Sequence, residues 1–178
     1  MQIKEKNELL EWLKAILVSA LFVIAIRVFI FTPMVVDGAS MMPTYENGDR
    51  VIVNKIGKQI SDFERFDVIV FEAKEDINYI KRIIGLPGDH IAYEDDVLYV
   101  NGNAMDEPYL NTNKEKLLDS GTLTQDLTLE SLTGLTVIPD GYLFVLGDNR
   151  RKSNDSREAS IGLIPMEKVL GKTTIRIY

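Results

Sequence analysis

The pattern of apolar and polar positions divides the chain into two unlike parts. Residues 15–31 read AILVSALFVIAIRVFIF, seventeen positions with one charge, Arg27. Extending back through Leu9, Leu10, Trp12 and Leu13 gives about 23 residues, enough to cross a hydrocarbon core of about 30 Å. A cleavable leader would have a shorter apolar region and a small-x-small site after it. Here the run continues into Val28–Phe31 and then Thr32-Pro33, so an uncleaved transmembrane helix is expected. A buried helix of a soluble protein is the competing reading. Lys4, Lys6 and Lys14 precede the run, and no Lys or Arg follows it until Arg50. The positive-inside rule therefore puts residues 1–14 in the cytoplasm and residues 32–178 outside. Arg27 would snorkel to the outer interface.

Beyond Pro33 the period changes to that of short strands. RVIVN (Arg50–Asn54), DVIVF (Asp67–Phe71), YIKRII (Tyr79–Ile84), Val97–Val100 and Tyr142–Leu146 are rich in β-branched and aromatic residues, and Leu170–Tyr178 alternates at period 2. Turn signals stand between them at Asn47-Gly48-Asp49, Pro87-Gly88-Asp89, Asn101-Gly102-Asn103 and Pro139-Asp140-Gly141. The expectation is a mainly antiparallel β-domain behind an N-terminal transmembrane helix. Residues 104–136 have no strong periodicity and read as a small insert or flap.

Composition narrows the chemistry. The 178 residues carry a net charge of −7. Residues 1–14 sum to zero, whereas residues 32–178 hold 16 basic and 24 acidic residues, a net of −8. An acidic body argues against nucleic acid as a partner, because phosphate binding needs clustered positive charge. The absence of Cys excludes disulfides, a thiol nucleophile and a Cys-ligated metal.

Three segments carry candidate chemistry. In Asp37-Gly38-Ala39-Ser40-Met41-Met42-Pro43-Thr44, Gly38 and Ala39 let the backbone approach another chain and Pro43 stiffens the turn after Ser40. A Ser held this way presents its hydroxyl in a fixed direction with its own N–H available to an oxyanion; alone, such a Ser is only a turn. In Tyr79–Asp89, strand alternation puts Lys81 on one face with Tyr79 and Ile83, and Arg82 on the other with Ile80 and Ile84. One of the two charges must face the apolar side, unless both are wetted at a sheet edge. A buried Lys loses its proton more easily and becomes a general base for a Ser. The third segment, Gly147-Asp148-Asn149-Arg150-Arg151-Lys152-Ser153-Asn154-Asp155-Ser156-Arg157, follows an apolar strand and is dense enough in donors and acceptors to pack as a polar turn.

Taken together and in this order, the anchor, the Ser40 segment, Gly48-Asp49-Arg50-Val51, Asp67–Phe71, the Lys81 segment and GDNRxxSxDSR closely resemble the type I signal peptidases of bacteria, the Ser-Lys family. The resemblance implies a membrane-bound serine endopeptidase of the bacterial cell membrane. Its body would be extracytoplasmic, and it would remove signal peptides from exported preproteins by cutting after a small-x-small site. It implies Ser40 as nucleophile and Lys81 as general base, with the Ser40 N–H as one oxyanion donor. Ser153 would orient the Lys81 amine, Asp155 and Arg157 would form a supporting ion pair, and Asp148 would neutralise Arg82. Met34, Val36, Met41, Tyr79 and Ile80 would line shallow pockets for small side chains. Partners would be secretory preproteins and membrane lipid, with no metal or cofactor.

The chain departs from some members in three places. Gly38 stands where some members have a Ser that supplies the second oxyanion donor, so that donor is left open here, with the Gly38 N–H as one candidate. Glu158-Ala159-Ser160-Ile161 lengthen a loop, and the 104–136 segment is short, as in the compact Gram-positive enzymes. His90 follows a turn; relatives in other lineages use His as base, but Lys81 occupies that position here. The rivals are a self-cleaving repressor, which would need a DNA-binding region, a serine β-lactamase, which would need Lys three residues after the Ser, and an inactive anchored β-domain that binds partners.

Overall fold

The β-branched runs pair into two antiparallel sheets in the computed structural model, which describes residues 2–29, 31–55, 63–75, 77–118 and 121–177. The larger sheet contains β1 (Phe31–Val35), β2 (Arg50–Asn54), β3 (Val68–Lys74), β4 (Ile77–Gly85), β9 (Tyr142–Leu146), β10 (Ile164–Pro165) and β11 (Val169–Ile177). Their spatial order is β1-β2-β11-β3-β4-β9-β10. The smaller sheet holds β5 (Ile91–Glu94), β6 (Val97–Val100), β7 (Asn103–Met105) and β8 (Leu127–Thr128) in the order β7-β6-β5-β8. Asp95 and Asp96 join β5 to β6 with φ of 48° and 63°, the left-handed pair that a two-residue hairpin requires.

Helix α1 spans Gln2–Phe29, and its described side chains are those of residues 8–24. Leu21, Phe22, Val23 and Ile24 are all more than half exposed. Four consecutive residues cover every face of a helix, so the apolar surface is not a stripe. Among the described residues no helix is long and apolar enough to cross a membrane. The side chain of Arg27 lies outside the described residues.

Strand alternation explains how the core divides. Ile83, Leu143 and Val145 pack with Ile69, Phe71, Ile164 and Val169 on one face of the large sheet. Ile84, Phe144 and Leu146 pack on the other, against Ile91, Tyr93 and Leu98 of the small sheet. Strand β9 is therefore buried on both faces, which is why it reads as a continuous apolar run.

The register places the chemistry. β3 pairs with β4 along most of its length, Ile69 opposite Lys81 and Val68 opposite Arg82. β9 pairs with β4 only over Arg82–Gly85, so on that side residues 77–81 keep an unpaired edge.

The 104–136 segment packs against the small sheet. It contains a 3-10 turn (Pro108–Leu110), helix α2 (Asn111–Glu115), β8 and helix α3 (Leu129–Thr133). The Thr128 hydroxyl caps α3 by accepting from the Ser131 N–H at 3.0 Å. Leu110, Leu123 and Leu129 are buried, and Leu129 belongs to the core between the sheets. The expected flap thus contributes packed core residues.

Candidate active site

A cleft of about 330 Å³ opens between the segment after β1 and the unpaired edge of β4. Met34, Val36, Gly38, Ser40, Tyr79, Ile80 and Lys81 line it. Met41 does not; it is buried to 1 % exposure beneath the turn.

Local hydrogen bonds fix the turn that carries Ser40. The Val36 N–H donates to the Asp49 carbonyl and the Gly48 N–H returns to the Val36 carbonyl, both at 2.8 Å. Gly38 adopts φ +99°, where a side chain would be strained. Its N–H donates to Asn47 Oδ1 at 2.8 Å and is thereby committed away from any oxyanion. The Ala39 carbonyl accepts from the Met42 N–H at 3.2 Å and from Asn149 Nδ2 at 3.1 Å. The Ser40 carbonyl accepts from the Asn149 N–H at 2.9 Å, and the Met41 carbonyl from the Tyr45 N–H at 3.0 Å. The Ser40 N–H has no partner among the described residues.

Lys81 is 3 % exposed. Its Nζ donates to Ser40 Oγ at 2.7 Å and to the Ile80 carbonyl at 2.9 Å, and lies 5.1 Å from the Tyr79 ring centroid. Burial pulls the amine down from 10.5 to about 8, against the opposing pull of the Asp155 and Asp148 carboxylates. A group poised there carries a large neutral fraction at mildly alkaline pH, as a general base must.

The polar turn after β9 supports this pair. Asp155 binds Arg157 through two bonds of 2.8 Å and accepts from the Gly147 N–H at 3.0 Å. Asp148 holds Arg82 bidentately at 2.8 and 2.6 Å and accepts from Thr44 Oγ1 at 2.5 Å. Arg82 also donates to the Phe66 carbonyl at 2.8 Å, so both charges of the Lys-Arg pair are buried within the sheet. Ser153 makes no hydrogen bond to Lys81: its hydroxyl is buried and has no hydrogen-bond partner among the described residues. It packs over Gly147, where an added Cβ would fall on Ser153 Oγ and on the Ser40 carbonyl oxygen. Residues 158–162 form a turn closed by the Gly162 N–H on the Glu158 carbonyl at 2.9 Å. His90 sits at the head of β5, its N–H donating to Asn101 Oδ1, and is not among the residues of the cleft.

Sequence reasoning missed several residues. Asn78, Lys152 and Asn154 also line the cleft; adjacency to the named motif residues was their only signal. It also missed a buried network around Arg150. Arg150 Nη2 meets Glu107 Oε1 at 2.5 Å, and Nη1 donates to Tyr93 Oη and Thr124 Oγ1 at 2.9 Å. Burial holds the Tyr93 phenol well above its ordinary value, so it remains a donor, to Glu107 at 2.9 Å. These partners lie 26 to 57 residues from Arg150 in the chain, beyond any local pattern. Among the described residues no cluster of His, Asp or Glu could hold a metal ion.

The profile of the family described as "Signal peptidase, peptidase S26" matches residues 9–178. Signal peptidase I of Bacillus caldolyticus is 50 % identical over 167 residues, covering 94 % of this chain and 88 % of that protein. Signal peptidase I S of Bacillus subtilis is 43 % identical, covering 99 % and 92 %. The crystal structure of a signal peptidase I from Enterococcus faecalis superposes with a TM-score of 0.60 at 41 % identity, covering 65 % of this chain and 99 % of that one.

Proposed function

Since the chain belongs to the signal peptidase family, peptidase S26, and is a serine endopeptidase that removes signal peptides from secretory preproteins, we propose that Ser40 is its nucleophile and Lys81 its general base. The observation that carries this is the 2.7 Å contact between Lys81 Nζ and Ser40 Oγ in the wall of the cleft, with the amine lowered to about 8 by burial.

The substrate lies extended in the cleft beside the unpaired edge of β4, with its main chain bonded as an added strand. Small side chains enter between Met34, Val36 and Ile80, which explains a small-x-small site. Neutral Lys81 accepts the Ser40 proton as Oγ attacks the scissile carbonyl carbon. The carbonyl electrons move onto oxygen, and the Ser40 N–H stabilises the resulting charge. The tetrahedral intermediate collapses, the C–N bond breaks, and Lys81 delivers its proton to the leaving amine. Lys81 then takes a proton from water, hydroxide attacks the acyl-enzyme ester, and Ser40 leaves with the returned proton. Asp155 and Arg157 hold the Gly147 end of the loop, and Asp148 and Arg82 neutralise each other near Lys81.

Residues 15–31 form a single-pass anchor in the bacterial cell membrane, with residues 1–14 cytoplasmic and the peptidase body from residue 32 extracytoplasmic. Support comes from the apolar run and its all-round exposure. The test is cleavage of a secretory preprotein in detergent and phospholipid by wild type, Ser40→Ala and Lys81→Ala. Wild type cuts after a small-x-small site and both variants are inactive while folded. Substantial activity in either variant overturns the assignment.

A further inference from the structure

Helix α2 lies in the segment that the sequence marks only as an insert, yet Asn113 reaches from it into the gap between the two loops of the site. Its Nδ2 donates to the Met42 carbonyl at 3.0 Å and to the Asp148 carbonyl at 2.9 Å. Met42 stands two residues after Ser40. Asp148 stands one residue before Asn149, whose N–H and side-chain amide hold the Ser40 and Ala39 carbonyls. One amide group therefore spans the chain segment carrying the nucleophile and the chain segment that grips it.

We propose that Asn113 is a positioning residue that fixes the Ser40 turn against the 147–149 strand end, and so sets the aim of the nucleophile. The proposal rests on the assignment of Ser40 and Lys81 above. With Asn113 in place, the carbonyls of Ala39, Ser40, Met41 and Met42 are all engaged, so the turn cannot rotate a peptide plane without breaking a bond. The Ser40 N–H stays uncommitted and Oγ stays at 2.7 Å from Lys81. Without the Asn113 amide, the Met42 and Asp148 carbonyls lose a shared donor, and the turn gains freedom at the residue whose placement decides the rate. Asn113 does not line the cleft, so it acts on the attack and not on substrate capture. A displacement of about 1 Å at a reacting group costs on the order of a hundredfold in rate.

The experiment compares wild type, Ser40→Ala, Asn113→Ala, Asn113→Asp and Lys114→Ala on one preprotein, recording kcat, KM, the pH profile and the melting temperature. Lys114 is the control from the same short helix; among the described residues its Nζ donates only to the Asp96 carbonyl, at 3.1 Å. Asn113→Ala is expected to lower kcat about tenfold to a hundredfold, with KM within about twofold and the alkaline limb unmoved. Asn113→Asp, which turns an oxygen toward two carbonyl oxygens, is expected to be slower still. Lys114→Ala keeps wild-type kcat. Wild-type kcat in Asn113→Ala overturns the proposal. Equal losses in Asn113→Ala and Lys114→Ala also overturn it, because they would mean general loosening of α2. Activity in Ser40→Ala would instead overturn the assignment of the nucleophile.

Discussion

On the proposed assignment, Lys81 concentrates the chemistry of the molecule in one side chain. The fall of its pKa from 10.5 to about 8 corresponds to ~3 kcal/mol of disfavoured charge. Two outcomes follow. The rate of preprotein cleavage rises with pH along a limb centred near 8, measured as kcat/KM from pH 6 to 10 with an alkali-stable substrate; a flat profile would sink the neutral-lysine mechanism. Stability responds to the same group. Between about 8 and 10.5 the unfolded lysine still holds its proton while the folded one has released it, so wild-type stability rises with pH across that window. Lys81→Met removes the buried ammonium. It is therefore more stable than wild type by up to ~3 kcal/mol below pH 8, and the gap narrows towards pH 10.5. Urea unfolding at pH 7 and pH 10 checks this, and a constant gap would mean the burial of Lys81 is relieved in another way. Gly147 sets a second limit at this scale. Gly147→Ala drives a methyl group into Ser153 and the Ser40 carbonyl, and is expected to abolish most cleavage while the chain still folds.

At the scale of elements, the parts with period-2 patterning were legible before the structure. RVIVN, DVIVF and YIKRII became β2, β3 and β4 because one face or both of each is buried and the side-chain period of a strand is fixed. The GDNRxxSxDSR turn was legible as a packed polar loop because a solvated loop has no need of so many paired groups. What could not be read were contacts between distant segments. Nothing near Glu107 in the chain announces Arg150, although the two meet with side chains 2 % and 0 % exposed. Nothing near Asn47 announces that it takes the Gly38 N–H, which the family resemblance had offered to the oxyanion. The 104–136 segment lacks a period because its residues face a polar network and a hydrophobic core by turns. Its role shows in a substitution: Glu107→Ala leaves Arg150 buried without its carboxylate and is expected to cost about 3–5 kcal/mol. Glu107→Ala combined with Arg150→Met should cost less than that single change. Denaturant melts of both variants provide the comparison, and a single-site cost under about 1 kcal/mol would show that the pair is dispensable.

At the scale of the whole molecule, the proposed arrangement divides the labour between helix and body. The large sheet begins only at Phe31, so a chain starting near residue 31 keeps every strand of the body. Such a chain is expected to fold and to cut a soluble peptide with wild-type kcat. If residues 15–31 anchor the chain as proposed, it should lose most of its rate on a preprotein embedded in vesicles, because it no longer shares their surface. Equal rates of the full and shortened chains on vesicles would argue that the helix contributes nothing to substrate encounter.

The burial of Lys81 has a further consequence for how the molecule comes into being. In an unstructured chain this lysine keeps its ordinary pKa, and only about three molecules in a thousand would carry the free amine at pH 8. On the proposed assignment, the base comes into existence when β4 pairs with β3 and the folded body buries the side chain of Lys81. A copy that has not yet folded would therefore lack its base. On that assignment, the finished architecture is its own activation step.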